Sequence, residues 1–399
     1  MACPRLAKQS SQESAKENQV AITETSSEIS FLGAGDCGPT HGPKDGFPIE
    51  RYSELVRPTL ATVDLRFANC ERQYSTRKVG SGPKGSAHGC QPPEMAQIFT
   101  DCGFDAVTIA NNHMYDYGPG PLLDTRALLL EKGIKVTGAG KNLEEARQPA
   151  IVERNGIKVG FLGYCSVLPD GGEAGPDKIG IAPLRVKTYY EPRGPHAPTR
   201  VRTEPDERDM KMIMDDIASL RKMVDILIPV FHWGVLWVPR IIADYQVTVA
   251  RACIDAGADL IMGHHAHVPK AIEVYKGKAI FYSLSNFCMT KPGGPFPGVW
   301  AEAPWAHGAM RNHTDQDPDY PLLPYGKDSK RTLLAKAIFS KDSVKRVSYV
   351  PMMIDKLYRP EVLHNGDPRF DDMVRYMEWT SEGFNHKFTV EGDEVVIKV

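Results

Sequence analysis

Short apolar runs broken by glycine, proline and asparagine set the rhythm of this chain. Ile29-Ser-Phe-Leu-Gly-Ala34, Leu60 to Phe67, Ala106-Val-Thr-Ile-Ala110, Ile134 to Thr137, Asp225 to His232 and Leu260-Ile-Met262 are too short for helices, and the pattern predicts strands. Between them, helical spacing marks Pro93 to Thr100, Pro121 to Lys132, Asp206 to Met223, Arg240 to Ala256 and Asp367 to Glu382. The alternation predicts an α/β fold. Asn155-Gly156 divides Ala150 to Leu162 into a hairpin, Ala271 to Ser283 reads as a second, and Thr332 to Phe339 pairs with Val344 to Val350. Residues 1–27 are polar and nearly empty of large apolar side chains, which predicts a disordered tail. Residues 168–205 and 288–330 are long irregular insertions, lid or exposed loop by length alone, and are expected to cover the functional site and choose the substrate.

Composition narrows the class. In 399 residues, 42% hydrophobic and 25% charged content with 31 prolines describe a globular protein with long loops. Lys plus Arg number 48 against 50 Asp plus Glu, a net charge of −2, so no basic surplus points to nucleic acid or a polyanion. The eight cysteines have no CxxC pairing, which reads as reduced thiols and a cytoplasmic setting. No apolar run is long enough to span a membrane, and the first thirty residues carry no secretory h-region.

Chemistry gathers where the strands end. Five ends deliver Asp36, Glu71, Asn112 with His113, His232, and His265 with His267. Strand ends of open α/β sheets converge on one crevice. Carboxylate, amide oxygen and imidazole together suit one or two borderline divalent ions, Zn, Mn or Fe, rather than calcium or a thiolate cluster. Two ions roughly 4 Å apart can activate a water and polarise a scissile bond, which is hydrolytic chemistry. Asn111, Trp233, Asn286, Trp300, Trp305 and His41 are further candidates for contacting a small-molecule substrate. The bland readings are turn caps for Asp36 and Glu71, packing for the tryptophans and a turn hydrogen bond for Asn286.

Gly35-Asp36, Asn69-Cys-Glu71, Ala110-Asn-Asn-His113 with Asp116-Tyr-Gly118, His232-Trp-Gly234, His265-Ala-His267 and Tyr282-Ser-Leu-Ser-Asn-Phe287 together resemble the CapA family, named for poly-γ-glutamate capsule biosynthesis and related to calcineurin-like metallophosphoesterases. The resemblance runs over residues 28–357, with 358–399 a C-terminal helix and hairpin extension. It implies a four-layer αββα sandwich of two mixed sheets. It also implies that Asp36 and Glu71 are metal carboxylates, with Glu71 the bridge. Asn112, His232, His265 and His267 complete the implied shell, and His113 is the implied proton donor. His264 stands at a position expected to vary.

The chain departs from that pattern at Cys37 and Cys70, at Leu236 where the family often has glutamate, and at Ser285 where it has glycine. Three functional classes follow: a metal-dependent hydrolase of a small organic amide or ester, a phosphoesterase using the same dinuclear site, and a non-catalytic accessory of polymer synthesis or export. The aromatic residues of the second insertion favour the first.

Overall fold

A computed structural model describes Met1 and residues 28–39, 48–77, 90–289, 317–320, 323 and 326–399. The polar tail and most of the second insertion, with His41, Trp300 and Trp305, lie outside the described residues.

The chain first lays down β1 (Glu28–Gly38), β2 (Leu65–Cys70), β3 (Ala106–Thr108) and β4 (Lys135–Thr137), neighbours in one parallel run. A short β5 (Ala139–Gly140) leads into the hairpin of β6 (Ala150–Arg154) and β7 (Ile157–Cys165). Its turn residues Asn155 and Gly156 both have positive φ, 50° and 76°, the conformation that matches strand twist and explains the Asn-Gly pair. The first insertion supplies β8 (Gly180–Ile181) and a separate ribbon of β9 (Val186–Glu191) and β10 (Arg200–Pro205). There follow β11 (Ile226–His232), β12 (Ile261–His264) and the hairpin of β13 (Ile272–Tyr275) and β14 (Lys278–Phe281).

On the edge of β1 away from β2, β16 (Arg331–Ser340) pairs antiparallel with Glu28 to Gly33, and β15 (Asn286–Met289) lies parallel to Asp36 to Gly38. β17 (Val344–Ile354), β18 (Pro360–Val362), β19 (Phe388–Glu391) and β20 (Glu394–Ile397) complete the large sheet. The large sheet thus has ten strands, and β13-β14-β12-β11-β7-β6 form a second sheet of six; both mix parallel and antiparallel pairs.

Burial shows why the sheets stack. Alternate side chains of both form one shared core, in which Phe31 and Phe67 of the large sheet meet Phe161 of the small one; the Phe67 and Phe161 rings stack at 4.5 Å. The other face of the large sheet packs Leu122 and Leu129 of the helix Pro119–Glu131, together with Ile98 and Phe99. The other face of the small sheet packs Ile213, Ile217 and Leu220 of the helix Glu207–Leu220, and Val249 and Cys253 of the helix Asp244–Asp255. Helix, sheet, sheet, helix is the αββα sandwich that the family resemblance implies. The C-terminal helix and hairpin form as read. They are built into the body: the helix Pro368–Ser381 puts Phe370, Met373 and Met377 into the inter-sheet core, and β20 pairs with β17.

Three local readings change. β1 runs on through Gly38, so Asp36 is buried within a strand instead of standing in a turn after it. Residues Arg57–Leu60 are helical and β2 begins only at Leu65. The helix read from Arg240 starts at Asp244, after Pro239 and the half-exposed Ile241.

The first insertion divides in two. Near its start, Ser166 N–H donates to the His232 carbonyl at 3.0 Å, beside the ligand strand. Its exposed ribbon ties to the start of the helix Asp244–Asp255, where Tyr245 N–H donates to Thr203 Oγ1 at 3.2 Å.

Candidate metal centre

β1, β2 and β3 run parallel to one another, as do β7, β11 and β12, so each sheet gathers carboxyl ends along one edge. Two glycines let these ends approach. A Cβ on Gly35 would lie 2.1 Å from the Ser285 carbonyl oxygen, which instead accepts from Asp36 N–H at 2.8 Å. A Cβ on Gly263 would meet the Tyr282 carbonyl at 2.2 Å and the Trp233 indole nitrogen at 2.5 Å. Gly263 lies within β12, and close packing rather than a turn explains it.

The large sheet brings Asp36, Asn69 and Glu71; the small one brings His232, with His265 and His267 just beyond β12; all are buried. Asn112 enters from the 3₁₀ turn Asn112–Tyr115 after β3. Around His232 Nε2 stand Asn112 Oδ1 at 2.7 Å, His265 Nδ1 at 3.1 Å and Glu71 Oε1 at 3.3 Å. Bond lengths of roughly 2.0–2.2 Å to zinc put neighbouring ligand atoms about 3 Å apart, so this spacing suits donors sharing an ion. On the other side of Glu71, His267 Nε2 lies 3.8 Å from Glu71 Oε1, and its Nδ1 lies 3.5 Å from Asp36 Oδ2. The donors thus divide into Glu71, His232 and His265, and Asp36, Glu71 and His267, with Glu71 common to both.

A cation fits the electrostatics. Both Glu71 oxygens are buried without a hydrogen-bond donor among the described residues. Burial, then the neighbouring Asp36 carboxylate, push the Glu71 carboxyl well above its usual range. For Asp36, burial alone would raise the carboxyl, but contact with His264 and the nearby His232 and His267 rings hold it below the carboxylate range. Burial, reinforced by His265, lowers His232 well below an ordinary imidazole. Burial and His267 push His265 down to about 3; burial, partly opposed by Asp36, brings His267 to about 4. Neutral imidazoles are the ligating form.

His113 stands apart in role. Its Nδ1 pairs with Asp116 Oδ2 at 2.8 Å, and its Nε2 lies 3.2 Å from Asn112 Nδ2. With 17% of its side chain exposed, it is more open to solvent than any of the buried ligands. Gln73, two residues beyond Glu71, fixes this loop by donating to the carbonyls of Met114 and Gly118 and accepting from Tyr117 N–H.

The candidate substrate contacts fare differently. Trp233 faces the outer core because strand alternation sends it opposite to His232; it stacks on Phe231 at 4.5 Å and donates to the Tyr282 carbonyl. It is packing, not pocket wall. Asn111 donates to Asn69 Oδ1 and the Cys70 carbonyl, and its Oδ1 accepts from His113 N–H, so it braces the ligand strands. Asn286 Oδ1 meets His267 Nδ1 at 2.8 Å, and its amide donates to the His267 and Ser329 carbonyls. That contact fixes the His267 ring and leaves Nε2 for the site. Asn69, which carried no assigned role, donates to Asp36 Oδ1 at 2.8 Å and lies 3.2 Å from His232 Nδ1. Its place opposite Asp36 in the parallel register is the signal that would have found it. Cys37 and Cys70 point the other way, into the helix-side core.

His265, His267 and Ser285 hold left-handed backbone, with φ of 88°, 54° and 68°. At the two histidines this backbone aims both rings into the cluster of candidate donors. Ser285 has no such task, and its buried hydroxyl finds no partner among the described residues. Ser285→Gly should therefore raise stability: relief of the left-handed cost and of an unsatisfied hydroxyl, each about 1–2 kcal/mol, outweighs a backbone entropy loss of about 0.5–1 kcal/mol. The measurement is the urea midpoint, and a lower one would give that hydroxyl a positive role.

Comparison with known proteins adds the lineage. The family model described as bacterial capsule synthesis protein PGA_cap matches residues 13–291. The chain belongs to the PGA_cap family. Among PGA_cap relatives, the PGA biosynthesis protein CapA of Bacillus subtilis is 29% identical over 235 residues, covering 59% of this chain and 55% of that one. A Mycobacterium tuberculosis protein named a probable polyglutamine synthesis accessory protein is 34% identical over 186 residues, covering 45% and 43%. The chain spans about half the length of the curated relatives it matches. Among solved structures, the calcineurin-like phosphoesterase YfkN of Bacillus subtilis overlays 89% of this chain and 98% of its own with a TM-score of 0.38 and 14% identity. No helix among the described residues is long and apolar enough to cross a membrane.

Proposed function

We propose that this PGA_cap protein is a metal-dependent hydrolase that cleaves an amide or ester bond of a small organic substrate. The observation that carries the reading is Glu71: a buried carboxylate with no hydrogen-bond donor among the described residues, common to two groups of neutral imidazole and carboxylate donors. One or two borderline divalent ions, Zn, Mn or Fe, would be held by Asp36, Glu71, Asn112, His232, His265 and His267. When bound, such ions lower the pKa of a water and polarise the scissile bond.

The protein's own residues do the rest. Asn69 and Asn286 hold Asp36 and His267 in place. With its Nδ1 proton given to Asp116, His113 presents Nε2 beside Asn112, where it can take a proton from solvent and pass it to the leaving group. A reducing, cytoplasmic setting belongs to this reading, because the described cysteines are all free thiols.

Elemental analysis of purified protein, followed by turnover on matched amide, ester and phosphoester substrates, tests the proposal. A transition metal at one or two equivalents and turnover on amides or esters is the expected result. Protein that neither contains nor takes up such a metal sinks it. Turnover confined to phosphoesters would favour the phosphoesterase reading, which needs the same donors. The relatives' names, capsule biosynthesis and synthesis accessory, support a second reading as a polymer-synthesis accessory; a loaded centre that is inert on every bond type would favour it.

A further inference from the structure

His264 is absent from both groups of donors, yet it is fully buried at their edge. It ends β12 in register with His232 on β11, so the two imidazoles leave the small sheet side by side. His264 Nδ1 lies 3.1 Å from Asp36 Oδ1, though neither ring nitrogen makes an aligned hydrogen bond. The same oxygen accepts from Asn69 at 2.8 Å, whereas Oδ2 meets the backbone N–H of His265 and faces the His267 ring at 3.5 Å. The two carboxylate oxygens are thereby made unlike. Oδ1 lies between two side chains that can donate, and Oδ2 is turned towards the His267 ring.

We propose that His264 is a positioning residue whose ring, with Nδ1 3.1 Å from Asp36 Oδ1 and no competing hydrogen bond among the described residues, turns to donate to that oxygen, fixing the carboxylate so that Oδ2 alone is offered to an ion. A carboxylate free to rotate could offer either oxygen, or both, and would lose entropy on each binding event. One clamped from behind is already turned for single-oxygen coordination. Partners of this kind, which hold a ligand without touching the metal, typically contribute 10–100-fold in affinity. The inference rests on the metal-centre reading given above and assigns to His264 a part in that site which the ligands themselves do not play.

The test uses the full-length chain, stripped of metal and titrated calorimetrically with Zn²⁺ and separately with Mn²⁺. His264→Leu keeps the apolar volume and removes the donor; His264→Asn returns an N–H close to the position of Nδ1. Weakening of one binding event by roughly 10–100-fold in the leucine variant, largely recovered with asparagine, is the expected pattern. Circular dichroism of the stripped proteins should be alike. If the leucine variant does not fold, His264→Gln takes its place, since its amide reaches the Nε2 position and should stay weak. Wild-type affinity in the leucine or glutamine variant overturns the proposal, and so does equal weakness with asparagine, because packing alone would then be at work. Wild-type protein that takes up neither ion overturns the metal-centre reading and the inference with it; normal wild-type uptake with unaffected variants overturns the inference alone.

Discussion

Replacing His265 and His267 together by alanine is expected to leave a protein with no stoichiometric transition metal and no hydrolytic turnover, measured by elemental analysis and activity on one sample. Each donor group depends on one of these rings: His265 completes the set with His232, and His267 completes the set with Asp36. Taking both away strips the centre on each side of Glu71 and leaves that carboxylate without a counter-ion. Ligand linkage gives a second measure. Metal at 100 times its dissociation constant stabilises a folded protein by about 2.7 kcal/mol, so added Zn²⁺ should raise the thermal midpoint of the wild type and leave that of the double variant unmoved. Activity retained without these imidazoles would remove them from the mechanism.

His113→Ala should behave oppositely, leaving metal content almost intact while lowering turnover by roughly 10²–10⁴, the usual worth of a general acid. The structure supports the separation. His113 touches the candidate donor Asn112, it is partly open to solvent, and its Nδ1 pairs with Asp116. The deficit should shrink as the leaving group becomes more acidic and needs its proton less. A constant deficit across good and poor leaving groups, or a parallel loss of metal, would make His113 structural instead.

Much of the fold was legible because its strands are short, apolar and clearly bounded, and because Asn155-Gly156 can be little other than a tight hairpin turn. The clustered histidines were legible for a related reason, each following an apolar run at the edge where strand ends gather. Harder to read was what depends on register across chain-distant strands. Asn69 matters because it lies opposite Asp36, and Trp233 is packing because it follows His232 by one residue in a strand covered on both faces. Neither relation exists until the strands are paired. Asn286 was left between a substrate contact and a turn hydrogen bond for a similar reason: its partner His267 stands nineteen residues away in the chain, and polarity alone does not show a bond that orients a neighbouring ring. That the ribbon of the first insertion ties to the helix Asp244–Asp255 was not legible, because loop length does not encode direction.

In the large sheet, Asp36 stands level with Asn69 and Asn286 on the site side, and Cys37 stands level with Cys70 and Cys288 on the side facing the helices. Oxygen and nitrogen donors line one face, and sulfur lies one residue away on the other. A one-residue slip of β1 would turn Cys37 inward in place of Asp36, because side chains alternate with a period of two. A hard anionic oxygen would then give way to a soft thiolate, shifting the preferred guest towards cuprous ion or a purely thiophilic metal. A single-residue deletion just upstream of Asp36 is thus the shortest change that would trade oxygen for sulfur at this position and, with it, the class of metal that the crevice prefers.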